Sequence, residues 1–239
     1  MIGGPWMLVG MVAATLASVA LAGTPDGTRL RPGVACFVIE RDGKAIGETY
    51  QAIKLDRLDG RKVWDVVVHQ RVAAAGFDMR DHFILAYGDL APLRFDSQRA
   101  TKTSERGWQR VSLRYTPSRI LGSKTTRDKT TPIDVALDHG VVDGNLWGIT
   151  FAALDLRQGA VFHLPSWQYD QGFGEFVVRV VGSERKATPA GAVDSWVLEA
   201  GTDPKRMSRY FIAKRGPREI GYQAGPMVQR LGGRCANLN

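Results

Sequence analysis

Two Asp-Gly pairs, Asp42-Gly43 and Asp59-Gly60, constrain this chain more than any other feature, because each lies between runs that alternate apolar and polar residues. Glycine accepts positive φ freely and aspartate tolerates it, so Asp-Gly between such runs turns the chain tightly back on itself as a β-hairpin. Residues 36–40 and 45–50 flank the first turn, and 63–72 follows the second. Within 63–72, Trp64, Val66, Val68 and Val72 fall on one side and Asp65, His69 and Arg71 on the other. That period of two belongs to an antiparallel sheet with one wet face. The first three strands therefore read as a meander.

The alternation recurs downstream. Residues 81–87 read as a strand, and in 108–115 Val111, Leu113 and Tyr115 oppose Arg110, Ser112 and Arg114. Residues 119–133 are polar, hold Pro132, and read as a weak strand plus loop. Two further hairpins are expected: 176–184 with 193–200 across Thr188-Pro-Ala-Gly191, and 208–214 with 219–223 across Arg215-Gly-Pro-Arg218. The total is about nine or ten strands.

One stretch breaks the period. Asp143 can cap a helix through its carboxylate and Gly159 can close one in the left-handed conformation. Between them Leu146, Trp147, Ile149, Phe151, Ala152, Ala153, Leu154 and Leu156 fill most of the circumference. A helix apolar nearly all round must be covered on most sides. The pattern predicts a rod of about 20 Å packed against or inside a sheet.

Residues 1–22 carry no Asp, Glu, Lys or Arg, and their apolar run ends in Ala20-Leu21-Ala22 before Gly23. The run is short for a membrane span and has the small-x-small ending of a cleavable secretory signal, although the usual leading Lys or Arg is missing. Thr24 stands where a bacterial lipoprotein would need Cys, so no lipid anchor and no stable membrane attachment is expected after cleavage. Residues 23–239 then form a single β-rich domain, with no repeat or linker interrupting the pattern, in the periplasm. Cys36 and Cys235 are the only two cysteines and both survive processing; in an oxidising compartment they can pair and staple the first strand to the last segment. The formal net charge of +8, concentrated at 102–129 and 205–218, is read as a solvated basic face or as a surface that docks an anionic envelope component. No nucleic-acid motif is present, and the basic residues lack the aromatic interleaving of a stacking platform.

Reactive groups are sparse. His69, His82, His139 and His163 sit on separate segments with no ligand spacing, and no Cys-x-x-Cys occurs, so no metal or cofactor is expected. The chain lacks a Gly-x-Ser-x-Gly elbow and a Gly-x-x-x-x-Gly-Lys loop, which argues against an elbow-type serine hydrolase and a nucleotide-cradling enzyme. Asp134, Asp138, His139 and Asp143 form the densest polar group. As a hydrolase, His139 would act as a base oriented by Asp138 or Asp143, with Ser166 or water as nucleophile. The plainer reading makes Asp143 a cap and Asp138-His-Gly140 a turn, and no catalytic residue is assigned.

The C-terminal half carries a recognisable order: an Asp-initiated apolar segment ending in Leu156-Arg157 and Gly159, an extended aromatic segment, Val178-Arg-Val-Val-Gly-Ser-Glu184, Thr188-Pro-Ala-Gly191, and a basic hairpin from Tyr210 to Tyr222. This resembles the secreted bacterial family catalogued as domain of unknown function 3108, over residues 77–231. The resemblance implies a mainly β, α+β fold: a strongly curved antiparallel sheet or half-barrel with one main helix in its concave face, similar in shape to the lipoprotein carriers of the periplasm. The family has no settled activity, so no functional residue carries over. Trp147-Gly148 departs from its pattern, and Gly148 marks a close approach of backbone. If the sheet curls about the helix, Trp147, Phe151, Phe162, Trp167, Tyr169 and Phe173 either line an apolar groove for an acyl chain or simply fill the core. The expected function is non-catalytic binding or carriage of a lipid or another apolar envelope component.

Overall fold

The computed structural model describes residues 20–101 and 107–238. The expected signal lies outside the described residues except for Ala20–Ala22, as do Lys102 and Arg106 of the basic run. In chain order the elements are β1 (Ala20–Ala22), β2 (Gly33–Arg41), β3 (Lys44–Leu58), β4 (Arg61–Val72), β5 (Phe77–Ala86), β6 (Pro92–Thr101), β7 (Gln109–Tyr115), β8 (Arg119–Thr126) and β9 (Thr130–Ala136). They continue as β10 (Val142–Asp143), α1 (Trp147–Ala152), β11 (Val161–Gln168), β12 (Gly172–Thr188), β13 (Gly191–Gly201), β14 (Ser208–Ala213), β15 (Glu219–Ala224) and β16 (Met227–Leu231).

All the strands join in one open, curved sheet in the order β1-β11-β12-β13-β14-β15-β16-β2-β3-β4-β5-β6-β7-β8-β9, with β10 lying beside β11. Pairing along it is antiparallel except where the short β1 and β10 run parallel to β11. Two meanders, β2–β9 and β11–β16, thus share a single seam at which Met227 to Leu231 pair with Arg41 to Phe37.

Both Asp-Gly turns behave as their chemistry requires. Asp42 and Gly43 have φ of 51° and 74°, Asp59 and Gly60 have 49° and 78°, and each pair joins directly opposed residues, Arg41 with Lys44 and Leu58 with Arg61. Positive φ at both central positions gives the turn the same twist as the strands it joins.

Register explains where the core sits. Ile53, Val66, Phe83, Phe95 and Leu113 lie side by side across β3 to β7, and the last four are fully buried. The next layer on the same face is Gln51, Val68, Asp81, Ser97 and Val111, and the one beyond is Thr49, Gln70, Met79, Arg99 and Gln109. The concave face therefore grades from an apolar floor to a polar rim within two residue spacings, because alternation keeps every second residue of each strand on that face.

Helix α1 is shorter than its sequence suggests, covering Trp147–Ala152 rather than 143–159. Asp143 does not cap it. Its Oδ1 accepts from the Asn145 backbone N–H and Nδ2–H at 2.9 Å each, and Gly144 N–H donates to Trp167 O at 2.9 Å, so β11 holds this segment in extended form. At the far end Ala153 O accepts from Asp26 N–H, and Asp155 pairs with Arg29 at 2.8 Å, drawing the chain away from the helical path. The all-round apolar pattern reports engulfment instead of length: Leu146, Ile149, Phe151, Ala152, Ala153 and Leu154 are all buried in the main core with Phe83, Phe95 and Leu113, while α1 packs on β14 and β15.

The expected strand count of nine or ten is also corrected, since sixteen strands are found among the described residues. Several of the uncounted ones are short or polar: β1 and β10, the edge strand β9 with mostly exposed residues, and β16, whose Gln229 and Arg230 interrupt the apolar pattern. Polar residues suit the edge strand β9, since they discourage its unpaired backbone groups from joining another chain.

Cys36 and Cys235 are disulfide-bonded, with Cα atoms 5.7 Å apart across 199 residues. The Glu48 carboxylate accepts from Arg234 N–H and Cys235 N–H at 2.9 and 3.1 Å, and Leu238, itself buried, meets His69 Nδ1 through its carbonyl at 2.8 Å. The C-terminal tail is thereby fixed on β3 and β4.

Candidate functional site

A hollow of about 570 Å³ lies where β2, β3 and β15 meet α1. Its walls include Ile53, Ile149, Ala152, Val34 and Leu231, supplemented by the tight turns at 188–190 and 216–218. Val34, on the wall of the hollow, is 63% exposed. Gln51 and Glu219 supply polar groups inside, and Arg31 and Arg218 add positive charge.

Glu219 is the dominant electrostatic feature. It is fully buried on β15, where Oε2 accepts from Gln51 Nε2–H at 3.5 Å and Oε1 accepts from Gln229 Nε2–H at 3.4 Å. Burial pushes its carboxyl up to about 7, against the weaker downward pull of the two amides. Burial likewise raises the Tyr210 and Tyr222 phenols, and the nearby Glu219 charge raises them further. Gly148 in α1 presses directly on this carboxylate, because a Cβ at that position would overlap it. The close approach expected at Gly148 is thus to an acid. Gln229 Oε1 accepts from Thr49 Oγ1–H at 2.7 Å, and Thr49 accepts from Gln70 Nε2–H at 3.4 Å. A side-chain hydrogen-bond chain accordingly runs from the polar rim to Glu219.

The six aromatic residues considered for a groove are distributed among several places. Trp147 stacks on Phe176 with centroids 3.6 Å apart, and Phe151 meets Tyr210 edge-on at 4.9 Å. Trp167 packs edge-on against Tyr115 at 6.4 Å, Tyr169 lies on Phe95 at 5.9 Å, and Phe162 is buried in the core. Phe173 is 50% exposed and lies 6.1 Å from His139. None of the six lines the 570 Å³ hollow, whose walls come mainly from aliphatic residues, prolines and glycines scattered over the chain. The one sequence signal for it is the polar residue placed on an inward strand position, as at Gln51, Glu219 and Gln229.

The group at 134–143 is dispersed. Asp134 pairs with Arg119 on the surface at 2.9 Å, and exposed Asp138 meets His139. Asp143 is buried, with Oδ2 accepting from the Tyr115 hydroxyl at 2.9 Å, and burial pushes both groups above their usual range. Ser166 donates to Gly174 O at 3.3 Å. His139 and Ser166 each have their own partners and are not hydrogen-bonded to one another. Among the described residues no cluster of three or more His, Cys, Asp or Glu is placed to hold a metal ion, and no helix is long and apolar enough to cross a membrane.

A family model described as "Protein of unknown function (DUF3108)" matches residues 36–223. No curated protein matches the chain. Among solved structures, the chain is similar to a beta-barrel-like protein of domain of unknown function DUF1849 from Brucella abortus, at 10% identity and a TM-score of 0.48, over 86% of this chain and 97% of the other.

Proposed function

The chain belongs to the family of proteins of unknown function DUF3108, and from that premise we propose that it is a non-catalytic binding or carrier-like protein of the bacterial periplasm that holds an apolar envelope component, lipid-like in character, in the hollow beside Glu219. The observation that carries this reading is a hollow of about 570 Å³ walled largely by apolar side chains and glycine backbone, with only a few converging polar groups. Sites for small molecules have this size, about 300–1,000 Å³, and this balance of walls and polar anchors. The Cys36–Cys235 bond supports residence in an oxidising compartment, where such bonds persist. Lacking a paired nucleophile and base, the 134–143 region offers no better case for catalysis.

The test uses N-phenyl-1-naphthylamine, an uncharged apolar dye that fluoresces on leaving water. Saturable binding to the disulfide-intact protein, weakened at least about tenfold by Ala190→Trp on the exposed turn at the hollow, supports the proposal. Absence of saturable binding, or equal binding by the folded variant, overturns it.

A second reading is favoured by Arg31 and Arg218, which line the same hollow: these guanidinium groups dock an anionic envelope partner, so that ligand and partner meet at one place. Charge-reversed Arg31→Glu with Arg218→Glu should abolish pelleting with anionic phospholipid vesicles while leaving dye binding intact.

A further inference from the structure

The polar rim of the concave face holds a second hollow, of about 340 Å³, bordered by Gln70, Met79, Asp81, Arg99, Asn145 and Trp147 among others. It differs from the first in its unused hydrogen-bonding capacity. Asp81 is 5% exposed, yet its Oδ1 has no partner among the described residues. The hydroxyl of Ser97, opposite it on β6 and 3% exposed, faces this carboxyl as a hydrogen-bond donor, whereas Nε of Arg99, one layer further out, is buried without a partner among the described residues. Buried polar atoms in folded proteins are almost always satisfied, by protein or by something bound. A carboxyl oxygen of Asp81 and Nε of Arg99, in adjacent layers of one face and both on residues that border the hollow, mark a place where partners come from outside the chain.

We propose that this hollow binds a neutral, polyhydroxylated ring, the chemistry of a sugar residue. Charge balance favours a neutral ligand. The Arg99 guanidinium would oppose a cation, and the carboxyl groups of Asp81 and nearby buried Asp143 would oppose an anion. Hydroxyl groups both donate and accept, so they can satisfy a carboxyl oxygen and a guanidinium N–H together. Carboxamides of Gln70 and Asn145 on the border extend this mixed pattern, while Trp147 and Met79 offer apolar contact to the C–H face of a ring. The site is also preorganised. Arg99 is held by Tyr169 Oη at 3.5 Å and lies over the Phe77 ring at 5.8 Å, Gln109 donates to the same Tyr169 oxygen at 2.9 Å, and Trp147 is stacked on Phe176. Groups fixed before binding lose little freedom when the ligand arrives.

The experiment titrates glucose, N-acetylglucosamine and cellobiose into the disulfide-intact protein, followed by ligand-observed NMR, with sodium acetate and methylammonium chloride as charged controls. Saturable binding of at least one sugar at about 10 mM or below, weakened at least tenfold by Asp81→Asn, is the expected result. Circular dichroism checks the fold of that variant, and Asn145→Ala, which leaves the buried carboxyl and guanidinium in place, must weaken the same sugar. No saturable sugar binding, affinity unchanged in both folded variants, or saturation by acetate or methylammonium in place of every sugar overturns the proposal. The dye site beside Glu219 is a separate hollow, so failure of either reading leaves the other standing.

Discussion

Glu219 imposes a pH dependence whose sign follows from its surroundings. The unfolded carboxyl titrates near 4.5 and burial moves the folded one to about 7, so the folded state holds the proton more tightly. Its contribution is fully favourable below pH 4.5 and is lost as the pH rises through about 7, a loss on the order of 3 kcal/mol. Asp81, raised from 3.8 to about 7, has the same sign. Urea unfolding between pH 5 and 8 should therefore show stability falling with pH, and Glu219→Gln should flatten that fall markedly. Gly148 supplies a second test in the same place. Gly148→Ala should destabilise by about 2 kcal/mol through overlap with the acid, and Glu219→Ala should couple to it, making the double variant less unstable than the two singles predict together. Gly148 was legible in the sequence as a close approach. Its partner was not, because Glu219 lies on a strand that only the folded sheet brings beneath α1.

At the level of elements, local chemistry was the readable part. The Asp-Gly turns and the alternation of β4 and β7 act over a few residues, and the folded chain obeys them. Residues 143–159 misled because an all-apolar composition specifies burial, and a single helical turn and a half enclosed by sheet satisfies that as well as a long rod does. Of the six aromatics considered for a groove or for the core, most pack in or against the core, because aromatic residues mark packing density, whereas the larger hollow is made by small and aliphatic residues that carry no local signature. The Cys36–Cys235 bond was legible by count alone, and its effect can be estimated. A loop of 199 residues closed in the unfolded state corresponds to about 5 kcal/mol in the chain-entropy account. Reduction, or Cys36→Ser with Cys235→Ser, should lower the urea midpoint by that equivalent, and the buried Leu238 should become more accessible to carboxypeptidase.

For the molecule as a whole, two meanders of nearly local contacts are joined by β16 on β2, and the tail bearing Cys235 crosses the same junction. Long-range pairing of this kind is slow, because loop entropy must be lost before the contacts that compensate it form. A chain cut after residue 224 would keep the shared core but lose the strand through which the second meander's hydrogen bonds run on into the first. Residues 227–231 thus act as the zip that makes one continuous sheet of the two.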